Sequence, residues 1–132
     1  MPPGQPAAGS AADWLRRAQS NLALASVKRP SPVMLEDLCF HAQQAAEKAL
    51  KALLVSGGAD VPRTHNIRTL LDIVAGKCSI PSQIQHASIL TEYVVSGRYP
   101  GESEPITDED YTEALSLAVS VVQWVEQQMQ TR

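Results

Sequence analysis

The sequence predicts an all-α fold, an up-and-down bundle of four to five helices. Residues 39–54 contain no glycine or proline and almost no β-branched residue, so this segment should be helical. Hydrophobic residues make up 44% of the 132 residues but aromatic residues only 5%, which indicates an aliphatic core suited to closely packed helices. Apolar residues recur at the spacing of one helical stripe, at Leu38, Ala42, Ala45, Ala49 and Leu53.

The first two helices are set by their end signals. We expect the first helix over about residues 11–27, with Ser10 as its cap. Ser31 and Pro32 are a good cap and first helical residue, so we place the start of the second helix there and its end near residue 56, before two glycines. The alanines of this second helix let a neighbouring helix approach closely, so it should be the central helix of the bundle.

Three further helices are predicted over about residues 66–75, 81–95 and 107–129. Thr107 and Asp110 have the spacing of a capping box at the start of the last one. We expect residues 1–10 to be a disordered tail and residues 11–132 to form a single domain.

Charge is unevenly distributed along the chain. The formal net charge is −3, which argues against bulk affinity for nucleic acid. Residues 1–77 hold nine basic and six acidic side chains, whereas residues 78–132 hold two basic and eight acidic ones. If this asymmetry has a function, an anionic ligand should bind to the first half.

Several classes of protein are disfavoured by missing signals. The chain has no run of 18 apolar residues and no basic, apolar leader, so we expect a cytoplasmic protein without a membrane partner. Cys39 and Cys78 lack metal-ligand spacing, and Cys39 should be a small buried apolar residue. No glycine-rich phosphate loop, zinc motif or nucleophile elbow is present, so we expect no metal and no cofactor.

A polar face of the central helix supplies the first candidate ligand-binding residues. His41, Gln44, Lys48 and Lys51 should form a basic ledge there, and the lysines could reach a phosphate. The alternatives are a hydrogen-bonded structural role for His41 and ordinary solvated positions for the lysines. We also expect Glu47 to pair with Lys51, one turn on, as a weak surface contact.

Two loops supply the other candidates. Arg63 and His65 precede the third helix, where free backbone N–H groups favour an anion, although His65 could instead cap the helix or pin the loop. Arg98 and Tyr99 lie in the long loop before the last helix, where the first could bind phosphate and the second could stack on a base. The alternative is that Tyr99 and Pro100 only hold that loop on the bundle.

Three segments resemble the HEPN domain family of small helical proteins. They are residues 39–54 with their Gln-Gln-Ala-Ala-Glu-Lys core, residues 62–65 and residues 97–100, within a resemblance that spans roughly residues 11–129. The resemblance implies a bundle that is usually a homodimer and is often encoded beside a minimal nucleotidyltransferase in a toxin–antitoxin-like pair. Some members of this family bind nucleotides, and others are metal-independent ribonucleases.

The ribonuclease branch of the family requires an Arg followed, after four to six residues, by a His. After Arg98 the corresponding positions hold Ser103, Glu104 and Pro105, and no other Arg has a His at this spacing. We therefore expect a non-catalytic module that binds a nucleotide or RNA-like anion beside a nucleotidyltransferase partner. The alternatives are a ribonuclease toxin with a degenerate motif and a purely structural dimeric partner subunit.

Overall fold

The structure, a computed structural model, describes residues 4–91 and 105–131, and the secondary structure within these ranges is entirely helical. This confirms the predicted all-α class. The elements are α1 Ala11–Ala25, α2 Leu35–Ser56, α3 Ile67–Ala75, α4 Ser82–Gln85, a 3₁₀-helical turn His86–Ile89, and α5 Asp108–Gln130.

The central helix is α2, which packs along α1 and α5 and, over a shorter stretch, against α3. Its predicted apolar stripe is buried throughout, and Cys39 is buried beside it. On α1, the alanines Ala18 and Ala25 have no exposed surface. Methyl groups therefore fill much of the space between the long helices, as the composition indicated.

Side-chain caps fix the ends of the long helices where the sequence placed them. The Ser10 side chain accepts from the Asp13 N–H at the start of α1. Thr107 and Asp110 form a reciprocal capping box at the start of α5, because each side chain accepts from the backbone N–H of the other residue. Gly57 caps the end of α2, and Gly58 follows with a φ of 89°, a conformation that glycine adopts without strain.

Two predicted boundaries were wrong. The second helix begins at Leu35 rather than at Ser31, because the Val33 N–H donates to the Pro30 carbonyl at 2.7 Å and closes a turn there. The fourth helix is a single α-turn that continues as a 3₁₀ turn. Its buried residues Ile84, Ala87 and Leu90 recur every three positions, which is the repeat of a 3₁₀-helix.

The segment before α1 is joined to that helix by hydrogen bonds. The Ser10 N–H donates to the Ala7 carbonyl at 3.1 Å, and the Gly9 N–H donates to Asp13 Oδ2 at 3.0 Å. Disorder of residues 1–10 and the single-domain assignment stay predictions. Within the two described ranges, no helix combines the length and the apolar character that a bilayer span requires.

Candidate functional site

Polar side chains of α2 and its neighbours fall into two linked groups. We call Gln43, Glu47, Lys51 and His65 the Glu47 cluster, and Asn21, His41 and Lys48 the Lys48 cluster. Gln44 links the two in sequence and in space, because its Nε2 donates to Gln43 Oε1 at 2.8 Å.

A buried carboxylate lies at the centre of the Glu47 cluster. Glu47 is 2% exposed, and its Oε2 accepts from Lys51 Nζ at 3.0 Å. The same oxygen lies 3.1 Å from His65 Nδ1, and Gln43 Nε2 approaches Oε1 at 3.4 Å. Because an ionised carboxylate only accepts, His65 donates through Nδ1. The charge of Glu47 is thus balanced by a cation and by further donors.

Lys51 does not lie on an exposed ledge, which corrects the expectation from the sequence. It is 4% exposed, and its Nζ lies 5.5 Å from the centre of the Trp14 ring as well as against Glu47. The predicted Glu47–Lys51 pair is therefore present, but it is buried rather than on the surface. Its burial follows from the packing of α1, whose Trp14 covers this part of α2.

The Glu47 cluster also holds the loop before α3. Gln43 Nε2 donates to the His65 carbonyl at 3.1 Å, in addition to the contact of the His65 ring with Glu47. These are the contacts of the loop-pinning alternative. The His65 side chain is nevertheless 84% exposed, so most of its ring is accessible to a ligand. Arg63 is also exposed and makes no ion pair within the described chain.

The first turn of α3 offers fewer free amides than a helix start usually does. The Ile67 N–H donates to Thr91 Oγ1 at 3.1 Å, and the Thr69 N–H donates to Asn66 Oδ1 at 3.2 Å. The Leu70 N–H donates to the Asn66 carbonyl. Backbone amides at this position therefore contribute less to anion binding than the sequence suggested, and the side chains must contribute more.

The Lys48 cluster joins α1 to α2 through an amide. Lys48 Nζ donates to Asn21 Oδ1 at 2.8 Å, and Asn21 Nδ2 lies 3.1 Å from His41 Nδ1. An ammonium group only donates, so the amide oxygen must face Lys48 and the amide N–H must face His41. Nδ1 of a neutral His41 is then the acceptor and Nε2 carries the proton. That Nε2–H has no partner among residues 4–91 and 105–131.

Positive charge is concentrated around Lys48. Burial lowers the pKa of its ammonium group, and the positive charges of Arg17 and Lys51 lower it further, against an opposing effect of Glu47. No carboxylate within the described chain lies within ion-pair distance of Lys48. A partly buried cation that is crowded by other cations and has only a neutral amide as partner favours a nearby anion.

The structure brings some of the sequence candidates together and separates others. His41, Gln44 and Lys48 lie on the side of α2 that meets Asn21 of α1, whereas His65 belongs to the Glu47 cluster. Arg98 and Tyr99 lie outside the described residues, so their predicted roles stay predictions.

Sequence reasoning missed Asn21 and the role of Gln43. The four-residue spacing of Gln43, Glu47 and Lys51 was a usable signal for a polar stripe along α2. Asn21 gave no signal, because its partners lie 20 and 27 residues away in the chain. As for metals, three or more His, Cys, Asp or Glu side chains arranged to hold an ion do not occur together in the described part of the chain.

Comparisons with known proteins agree with this architecture. The family model of the HEPN domain matches residues 11–128. The solved structure of TT1696 from Thermus thermophilus is 33% identical, with a TM-score of 0.76 over 89% of this chain and 97% of that one. The structure of ST0689, an archaeal HEPN homologue, is 29% identical, with a TM-score of 0.74 over 91% of this chain and 98% of that one. A search of curated proteins finds no match. The chain belongs to the HEPN domain family.

Proposed function

We propose that this protein is a non-catalytic HEPN module that binds a nucleotide or RNA-like anion and acts, as a homodimer, with a minimal nucleotidyltransferase in a toxin–antitoxin-like pair. The observation that carries the binding part is the environment of Lys48. Its ammonium group is partly buried beside Arg17 and Lys51 and has no carboxylate partner in the described chain.

A phosphate group would satisfy what the Lys48 cluster leaves open. It would neutralise the Lys48 charge and could accept from the unpaired Nε2–H of His41. Arg17 is more than half exposed and holds Asp13 through Nε at 3.2 Å, so its remaining N–H groups can serve the same anion. In this proposal Arg63, His65, Arg98 and Tyr99 are further ligand contacts, and Lys51 acts indirectly by adding positive potential.

Two arguments support the remaining parts of the proposal. The sequence lacks the Arg and His at the spacing that metal-independent ribonucleases of this family need, which favours binding without cleavage. The nucleotidyltransferase partner, the dimer and the toxin–antitoxin setting rest on what HEPN proteins commonly do.

Calorimetric titration with AMP, ATP and a short oligoribonucleotide tests the binding. We expect the unmutated protein to bind at least one of these ligands, with an affinity that falls as salt rises. Lys48→Ala should weaken binding about tenfold, the loss of roughly 1.4 kcal/mol for a charge-assisted contact. Lys77→Ala is the matched control, because Lys77 is an exposed lysine just after α3, and it should bind normally. No binding of any of these ligands to the unmutated protein would refute the proposal.

Two further measurements test the other parts. RNA incubated with the purified protein in chelator should stay intact, and cleavage would show that the protein is an enzyme. If the neighbouring reading frame encodes a small nucleotidyltransferase, the two proteins should elute as one complex in size-exclusion chromatography. Separate elution at micromolar concentrations would contradict the partnership.

A further inference from the structure

Phe40 is an exposed aromatic residue beside the Lys48 cluster. It is the only phenylalanine of the chain, yet it is 46% exposed, whereas other large apolar side chains of α2, such as Leu50 and Leu53, are buried. Phe40 contributes less to the core than its size allows, which is unusual for the most central helix of the bundle.

The Phe40 ring is oriented by its neighbour. It makes an edge-to-face contact with the His41 ring, with 5.8 Å between centroids and 70° between planes. His41 is in turn held by Asn21, which also receives the bond from Lys48. The contact with His41 engages at most one face of the Phe40 ring, so another face is available for stacking.

From this arrangement, and resting on the proposed function, we propose that the ligand is single-stranded RNA longer than one nucleotide, with a base stacked on Phe40 and a phosphate bound at Lys48. Exposed aromatic side chains between cationic groups are the usual way in which proteins bind unpaired nucleic acid, because every base has a face that can stack.

The spacing of the two residues indicates the length of the ligand. Phe40 and Lys48 are eight positions apart on α2, about 12 Å along the helix axis at 1.5 Å per residue. Side chains of one helix lean in the same direction, so the ring and the ammonium group keep a similar separation. The base and phosphate of a single nucleotide do not span this distance, whereas a dinucleotide or longer strand does.

Charge indicates the direction of the strand and the type of partner. Glu36 and Asp37 lie one turn before Phe40 and His41, and their carboxylates repel phosphate there. The backbone of the RNA should therefore run from Phe40 towards Lys48 and Arg17. A second copy of the chain on this face would place the same cations of the two copies against each other, which disfavours a symmetric protein contact.

Fluorescence anisotropy with a labelled oligoribonucleotide of six nucleotides, with AMP as a calorimetric comparison, tests the proposal. Phe40→Ala should weaken binding of the hexamer about tenfold, within the range measured for one stacked base, and leave binding of AMP unchanged. Phe40→Trp should bind the hexamer at least as tightly as the unmutated protein. Ile73→Ala removes an exposed apolar side chain from α3 and is the matched control, which should have no effect.

The outcomes separate this proposal from the one on which it rests. If the hexamer binds through Lys48 but Phe40→Ala leaves its affinity unchanged, the stacking role is refuted and the anion site stands. If neither AMP nor the hexamer binds the unmutated protein, both proposals fail. If Phe40→Ala changes the sedimentation coefficient and not the RNA affinity, the face is a protein interface and the stacking role is refuted. Circular dichroism of each variant confirms that the fold is retained.

Discussion

Lys51 donates to Glu47 at 3.0 Å in an ion pair whose two side chains are almost completely withdrawn from solvent. An ion pair of this kind is costly to break on one side only, because the remaining charge keeps its burial and loses its counter-charge. The pair lies beneath the loop that carries Arg63 and His65, so its integrity decides where that loop lies.

Replacing Lys51 should destabilise the fold strongly. Lys51→Met leaves the Glu47 carboxylate with only His65 and Gln43 as donors, and we expect the free energy of unfolding to fall by about 3–5 kcal/mol. The double variant Glu47→Gln/Lys51→Met should recover part of this loss, because no uncompensated charge remains. Urea denaturation at a fixed protein concentration measures both. Lys77→Met should change stability by less than about 0.5 kcal/mol, and a loss below about 1 kcal/mol for Lys51→Met would contradict the importance of the pair.

The Tyr111 hydroxyl stabilises the junction of α1 and α5. It donates to the carbonyl of Ala25, the last residue of α1, at 2.5 Å. Tyr111→Phe removes this bond and should lower the free energy of unfolding by about 1 kcal/mol. Thr112→Ala is a control on the same helix, because the exposed Thr112 hydroxyl bonds only within α5, to the Asp108 carbonyl. Equal stability of Tyr111→Phe and the unmutated protein would show that the bond contributes nothing net.

Stability should depend on Asp13 in acid. The Gly9 N–H and then the Arg16 guanidinium lower the pKa of Asp13 from 3.8 to about 2. A carboxyl group with a lowered folded-state pKa stabilises the fold above its ordinary value, and this contribution is lost as the pH falls from about 4 to about 2.

Urea denaturation at intervals between pH 5 and pH 2 measures this contribution. The stability of Asp13→Asn should depend less steeply on pH over that range, so the two curves converge in acid. Asp60→Asn removes an exposed loop carboxylate without a partner among the described residues, and its curve should follow the unmutated one. Parallel curves for Asp13→Asn and the unmutated protein would contradict the prediction.

Removing the His65 side chain should loosen the loop and not the bundle. The ring is mostly exposed, so His65→Ala should change global stability by less than about 1 kcal/mol. The contact with Glu47 is lost, however, and backbone amides of residues 62–66 should exchange with solvent faster. Hydrogen exchange followed by mass spectrometry measures this. His86→Ala is the control, because His86 is exposed on the 3₁₀ turn, and slow exchange of the loop in His65→Ala would show that Gln43 alone holds it.

The elements that depend on local chemistry were predicted well. The Thr107–Asp110 capping box and the buried stripe of α2 were correct because caps and stripes are determined by residues within a few positions of each other. The start of α2 was misplaced because the serine–proline signal at Ser31 competes with a turn closed by the Pro30 carbonyl. The fourth helix was too regular in the prediction, because spacings of three suit both helix types.

The candidate site was less predictable, because its chemistry depends on contacts between distant segments. Helical spacing alone suggested that Lys51 faces solvent, and only the position of Trp14 on α1 shows that it does not. The assignment of the His41 proton depends on Asn21, which no local pattern connects to it. Burial of a charged side chain is decided by what packs over it, and that information lies elsewhere in the chain.

The alanines between α1 and α2 determine the reach of Asn21. Ala18, Ala25, Ala42, Ala45 and Ala49 are completely buried, so the separation of the two helix axes is determined largely by methyl groups. A single amide can then touch a ring nitrogen and an ammonium group on the opposite helix at 3.1 Å and 2.8 Å. A valine in place of Ala45 would force the axes apart and pull this amide off both groups, although every polar residue would remain in place. The recognition chemistry of the protein is therefore tuned by its least reactive side chains.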